Sequence, residues 1–315
     1  MKHNLMVTLF LIAFFILAQV VGLALISKDS NVVIGPEGNI TVVHSDTSVG
    51  ARPETTGFGS FLYLVIGVAV GTILVLILVR FNKGNIWKIW FFLAVWIAVS
   101  IAIGVIIKTK VFFDYDVALF IALLLAIWKI FRPNVYIHNI TEVLMYAGIA
   151  VLLVPIFDVF WAVMLLLAIS VYDMYAVWKS KHMVKMAKFQ TQSNIFAGLL
   201  IPYKVKAGKS IPQIKSKTKN IRLASSKAGK TETKTAILGG GDVAFPLIFA
   251  GVIMENLLMQ GLSKGTAFLE ASIIILTTTI ALALLFFFAK KDKFYPAMPF
   301  ISAGCLVGWV IVMLI

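Results

Sequence analysis

Two aspartates sit where aspartates are costly to place. Of the fourteen acidic residues, Asp173 and Asp242 fall inside long apolar runs, whereas most of the others lie in polar stretches or near the ends of such runs. Asp173 stands five residues before Trp178, where one apolar run ends, and Asp242 six residues after Ala236, where the next begins. If these runs are helices crossing one layer in opposite directions, both carboxyls lie roughly 8–9 Å below the same face at 1.5 Å rise per residue. A charged Asp at that depth costs at least about 2.5–3.5 kcal/mol on insertion scales. Two at matched depth on consecutive helices are therefore expected to face one another. Carboxyls at hydrogen-bonding distance share a proton and titrate as a coupled pair. One can take a proton from water while the other protonates a carbonyl oxygen, the division of labour that amide hydrolysis needs. A structural hydrogen-bonded pair, or a proton or cation site in a transporter, uses the same residues. The pair alone does not choose among these.

The neighbouring residues favour hydrolysis. Gly239-Gly240-Gly241 precede Asp242 and Pro246 follows it. Glycines remove side chains and weaken a helix start. Proline has no N–H and leaves the carbonyl of Asp242 without its usual helical partner. The backbone here is expected to be open and polar, as access for an extended peptide and a water requires. A third element is Tyr295-Pro296-Ala297-Met298-Pro299, which opens the last apolar run at the same face. Its prolines disturb a regular helix start and expose backbone that an extended peptide could pair with; an ordinary proline-initiated helix is the alternative.

Composition dictates what must hold these residues. The 315-residue chain is 60% hydrophobic and only 13% charged, with a mean hydropathy of +0.97, against about 25% charged residues in soluble domains. Lipid is the solvent that fits. Spans of about 20 apolar residues are predicted at 5–27, 58–80, 87–107, 113–131, 140–157, 159–178, 236–257, 266–289 and 295–315, with Pro155 and Asp158 marking the turn between the fifth and sixth. The first is too long for a signal h-region and no clear cleavage site follows, so a retained helix is expected. With the N-terminus in the cytoplasm, 23 of the 28 lysines and arginines fall inside and 5 outside, as the positive-inside rule requires. The expected fold is thus all-α, a polytopic integral membrane protein of nine transmembrane helices with a cytoplasmic N-terminus and an outer C-terminus. Its parts are helices one to six over 1–178 with an outer loop at 28–57, a basic cytoplasmic loop at 179–235, and helices seven to nine over 236–315. The net charge of +14 concentrates in that loop and points to anionic headgroups rather than nucleic acid. The loop is expected to be flexible, with Ile195 to Tyr203 lying against the membrane surface.

Other signals are weaker. One cysteine, Cys305, excludes an internal disulfide and a cysteine-based zinc site, and His3, His44, His138 and His182 lack metal-ligand spacing. Ala228-Gly229-Lys230-Thr231 lacks the leading glycine and the preceding strand of a phosphate-binding loop. Asn39-Ile40-Thr41 matches a glycosylation sequon in the outer loop. Gly67/Gly71 and Gly304/Gly308 form two small-xxx-small pairs that suit either homo-oligomer contacts or packing within the chain.

Tyr172-Asp173 resembles the YD motif, Gly239-Gly240-Gly241-Asp242 the GxGD motif, and Pro296-Ala297-Met298-Pro299 the PAL motif. In this order, on the sixth, seventh and ninth spans, they resemble the presenilin and signal peptide peptidase family of intramembrane aspartyl proteases across essentially the whole chain. The inward N-terminus and the proline after the PAL-like motif resemble the presenilin branch, and the compact length its archaeal members. Met298 departs from the family's leucine but keeps volume and apolar character. The resemblance implies that Asp173 and Asp242 are catalytic and that Tyr172, Gly239, Gly240, Gly241, Pro296, Ala297 and Met298 contact or shape the substrate. It implies proteolysis of the transmembrane helix of a substrate protein in the cell membrane, among lipids, with no metal or organic cofactor. The rival from the residues alone remains a proton- or cation-coupled transporter.

Overall fold

A computed structural model describes residues 5–81, 83–108, 110–111, 115–132, 134–179, 186, 189, 196–206, 231–289 and 295–315. Nine helices run through them: α1 Leu5–Asp29, α2 Phe58–Arg80, α3 Gly84–Ile106, α4 Val117–Phe131, α5 Val135–Leu153, α6 Val159–Met174, α7 Gly240–Met259, α8 Lys264–Phe288 and α9 Met298–Leu314. They form because long runs of Leu, Ile, Val, Phe and Ala carry few charges and, apart from Pro246 in α7 and Pro299 in the first turn of α9, no proline. Polar residues before some of the runs cap them. Asp158 accepts from the Trp161 N–H at 2.9 Å and Ser263 from Thr266 at 3.2 Å, satisfying orphan donors at the starts of α6 and α8.

Seven of these helices are long and apolar enough to cross a membrane, while α4 and α9 are shorter apolar helices. Large apolar side chains such as Leu124, Leu269 and Phe288 cover the outside of the bundle, an arrangement that water would not tolerate. The chain is an integral membrane protein.

Helix α7 is the most enclosed, with Leu247, Phe249, Ala250, Met254 and Leu258 almost fully buried. Around it, α1 packs on α5, α7 and α8; α3 on α4 and α5; and α9 along α8, α6 and α7. Small residues allow the closest crossings. A Cβ on Gly148 of α5 would lie 1.8 Å from the Ala98 carbonyl oxygen of α3. Cβ atoms on Gly304 and Gly308 would lie 2.9 Å from Thr278 Cα and 2.8 Å from Ile274 Cα of α8, so this glycine pair packs α9 within the chain. A Cβ on Gly67 meets nothing within 4 Å, so that position of α2 is open.

The expected all-α class needs one correction: three two-stranded antiparallel ladders are present among the described residues. Strands β1 (Asn31–Ile34) and β2 (Ile40–Val43) form a hairpin in the loop between α1 and α2, and β3 (Lys110–Val111) and β4 (Tyr115–Asp116) a minimal one before α4. The third, β5 (Gly198–Lys206) with β6 (Thr231–Gly239), replaces what was expected as flexible or surface-lying chain. Its cause is legible afterwards. Thr235-Ala236-Ile237-Leu238 alternates exposed and buried, the period of a strand, and here it resembles the end of an apolar span. Residues 236–239 are therefore strand, and α7 begins at Gly240 rather than at the expected 236. The phosphate-loop-like residues 228–230 lie outside the described residues.

At the end of the bundle opposite this hairpin, four charged side chains clamp β2 and the loop after it to the helix ends. Arg52 Nη2 lies 2.6 Å from Asp29 Oδ2, and His44 bridges Asp29 at 2.9 Å and Glu255 at 3.3 Å. Ser30 Oγ donates to Glu255 at 2.9 Å, and Arg52 Nη1 to the Val151 carbonyl. Burial works against a charge on His44, but the hydrogen bonds and charges of Asp29 and Glu255 outweigh it and raise its pKa to about 9. A polar cavity of about 420 Å³ adjoins Asp29, Arg52, Lys108 and Asp116, far from Asp173 and Asp242.

Candidate active site

The site is built from the starts of two helices and the end of a third. Asp173 ends the regular part of α6, which continues as a π-helical turn over Tyr175–Lys179. Its side chain is 5% exposed. Its Oδ2 accepts the backbone N–H of Met298 at 3.1 Å, with the N–H of Ala297 close by. The prolines explain this choice. Neither Pro296 nor Pro299 has an N–H, so between them Ala297 and Met298 hold the free donors at the start of α9. That helix has no side-chain cap of its own; Asp173, 125 residues earlier, supplies one. One turn along, Ser170 Oγ and Ser302 Oγ lie 2.7 Å apart and tie the same two helices.

Asp242 occupies the third position of α7, whose cap is Gly239. Its carboxyl turns back toward the Gly239 backbone, as an acidic third residue of a helix does. Close approach explains the glycine: a Cβ at 239 would lie 3.1 Å from Asp242 Oδ2. The carboxyls of Asp173 and Asp242 lie within electrostatic reach of each other across the α6–α7 contact. Two acids from consecutive helices and the proline motif of α9 thus converge at the hairpin end of the bundle.

The other predicted site residues divide. Pro296 and Met298 are buried and Ala297 half-buried, all at the start of α9. Gly240 is pressed on by Tyr146, whose hydroxyl would be 2.9 Å from a Cβ there, whereas Gly241 is exposed. Tyr172 hydrogen-bonds Thr72 of α2 at 3.0 Å, a link between α6 and α2.

The hairpin next to Asp242 is anchored on one side. Leu200 donates its N–H to Asn139 Oδ1 at 2.9 Å and its carbonyl accepts from Asn139 Nδ2 at 2.8 Å, and the Gly198 carbonyl meets His138 Nε2 at 2.8 Å. These groups of β5 therefore point away from β6. Leu200 pairs with Ile237 in the register, and in an antiparallel pair such opposed residues turn their backbone groups outward together. The Ile237 N–H and C=O thus face the outer edge of β6, with which no described strand pairs. Pro202, lacking an N–H, sits at an equivalent outward position of β5 opposite Thr235.

The sequence reading missed a polar group beside the pair. Lys129 of α4 is ion-paired with Glu142 of α5, and Tyr146 donates to the other oxygen of Glu142. Glu142, expected near a span end, is fully buried within the bundle. The available signal was a lysine and a glutamate 13 residues apart across the α4–α5 turn. Gln19 of α1, also fully buried, donates to the Val243 carbonyl at 2.7 Å. Among the described residues no group of three His, Cys, Asp or Glu is placed to hold a metal ion.

Comparison with known proteins places this arrangement. The family described as "Signal-peptide peptidase, presenilin aspartyl protease" matches residues 12–315. A solved structure of a presenilin family intramembrane aspartate protease, in a P2 space group, superposes with a TM-score of 0.60 at 15% identity, covering 97% of each chain. A second, in C222, gives 0.56 at 14% identity, covering 96% of this chain and 94% of that one. No curated protein sequence matches the chain.

Proposed function

The chain belongs to the signal-peptide peptidase and presenilin aspartyl protease family, and from that premise we propose that it hydrolyses peptide bonds within transmembrane segments of other proteins, with Asp173 and Asp242 as the catalytic pair. One observation carries the residue assignment: these two acids, from consecutive helices, come within electrostatic reach of each other where the start of α9 meets Asp173. Water reaches the pair from the hairpin end. One carboxyl takes a proton from that water as it attacks the scissile carbonyl carbon, and the other protonates the carbonyl oxygen. The tetrahedral intermediate then collapses, and the amine leaves with a proton from the pair.

A regular helix shields its carbonyl carbons, so the substrate unwinds locally before the attack. The outward N–H and C=O of Ile237, five residues before Asp242, supply an edge on which the unwound segment adds as a strand. The starts of α9 and α7 then flank the scissile bond through Pro296, Ala297, Met298, Gly239, Gly240 and Gly241. Tyr172 serves this cleft from behind by holding α6 to α2.

The surrounding topology follows. Nine spans, seven long and two short, cross the cell membrane with the N-terminus and the β5–β6 hairpin in the cytoplasm and the C-terminus outside, as the lysine and arginine distribution favours. The reaction uses no metal or organic cofactor. Lipid and the substrate helix are the partners, and the open Gly67 face of α2 suits a second copy of the chain. The test is cleavage of a single-span substrate by the purified protein, with each aspartate removed in turn.

A further inference from the structure

Three glycines and a proline make the backbone around Asp242 intrinsically weak. Each glycine loses more freedom on ordering than any other residue, and Pro246 withholds a hydrogen bond from the first turn of α7. A general acid or base must nonetheless be held to within about 0.5 Å. The pieces that hold it come from another helix.

Glu142 and Tyr146 lie four residues apart on one face of α5, and both are almost fully buried. Tyr146 donates its hydroxyl hydrogen to one oxygen of Glu142, and Lys129 binds the other. So fixed, the Tyr146 ring lies against Gly240: a Cβ there would be 2.9 Å from its hydroxyl, 3.0 Å from Cε1 and 3.3 Å from Cζ. The Gly240 N–H is meanwhile committed to the Ala197 carbonyl at 3.3 Å. One turn earlier on α5, Asn139 grips β5 through Leu200. The same helix therefore holds the hairpin and the first turn of α7, and Asp242 stands two residues beyond Gly240, within electrostatic reach of Tyr146.

We propose that Glu142 and Tyr146 are positioning residues for Asp242: Glu142 orients the Tyr146 ring, and the ring fixes Gly240 and hence the carboxyl two residues on. Lys129 has a separate task. It neutralises Glu142, which would otherwise set an uncompensated buried charge beside the carboxyl pair. The inference rests on the catalytic assignment of Asp242.

The experiment separates hydrogen bonding from bulk and from charge. In Lys129→Met/Glu142→Gln the buried ion pair is gone but residue 142 still offers Tyr146 an acceptor. In Lys129→Met/Glu142→Leu the acceptor is gone as well. Replacing a buried ion pair by groups of similar volume is often neutral or stabilising, so both proteins are expected to fold. Tyr146→Phe removes the hydroxyl alone. Turnover and KM are measured on a single-span substrate in proteoliposomes, with parent and Asp242→Ala as references and melting temperature followed for each. The expected result is turnover close to parent for the Gln double variant and a loss of about tenfold for the Leu double variant and for Tyr146→Phe, with KM within about twofold throughout. Equal turnover in the Gln and Leu double variants, with Tyr146→Phe like the parent, overturns the positioning role while leaving the aspartate assignment standing. An Asp242→Ala protein that cuts like the parent removes the assignment itself.

Discussion

The side chain of Asp173 caps the helix that begins at Met298, through a 3.1 Å hydrogen bond from that residue's backbone N–H. One of the two acids is thereby fixed by a helix start whose remaining donors the prolines have removed. Asp242 instead turns back toward Gly239, the cap of its own helix, next to Gly240, on which Tyr146 of α5 presses. Asp173 is thus tied to a backbone donor of α9 whereas Asp242 sits in a helix start braced by α5, which gives the two acids different surroundings. Different surroundings are what separate acid from base in a carboxyl pair.

Because the contact with Asp173 uses the backbone of Met298 and not its side chain, Met298→Leu is expected to keep turnover within about threefold. The side chain is 3% exposed and of similar volume to leucine. Any effect should appear as a shift in the distribution of cleavage positions, read by mass spectrometry of the fragments.

Neighbouring glycines before Asp242 should respond differently. Gly240→Ala drives a methyl to within 2.9 Å of the Tyr146 hydroxyl, an overpacking expected to cost about 1–3 kcal/mol and to lower activity with it. Gly241→Ala meets only Phe245, at 3.4 Å, and should melt like the parent. Parallel thermal denaturation in detergent checks the pair.

The β6 edge can be probed by removing one donor. Ile237→Pro deletes an N–H that points away from β5, so the β5–β6 ladder should survive while substrate addition fails; proline is tolerated at such edge positions. The expected result is a rise in KM of about tenfold or more, against no change for Ile237→Val. A proline variant with parental KM shows that the substrate does not use this edge.

Far from the site, His44 makes stability depend on pH. Its pKa is raised to about 9 in the folded protein from an ordinary value near 6.5, by Asp29 and Glu255 against the opposing effect of burial. Its contribution is therefore complete below about pH 6.5 and is lost as pH rises through about 9. Melting temperature should fall across that window, and His44→Gln should flatten the fall while lowering stability at neutral pH.

Much of this architecture was legible because lipid imposes a strong pattern. Long apolar runs gave the helices, and Asp173, Asp242 and the prolines at 296 and 299 stood out by chemical type. Ala236 to Gly239 misled because a buried strand and the end of a span share the same apolar residues, and only the two-residue alternation in burial distinguishes them. Glu142 was hidden for a related reason. Two or three residues from the edge of an apolar run, a glutamate looks like a surface residue, and its burial depends on Lys129 arriving from α4. Gln19 gave no signal, since its partner, the Val243 carbonyl, belongs to a helix more than two hundred residues away. Backbone capping of one helix by a side chain of another likewise leaves no periodicity to read.

The most direct test of the central claim is cleavage of a single-span substrate in liposomes by the purified parent, by Asp173→Ala and by Asp242→Ala, with folding of each verified and fragments identified by mass spectrometry. The account predicts a defined cut within the substrate's transmembrane segment by the parent and none by either variant. A folded variant that makes the same cut at the parental rate contradicts it.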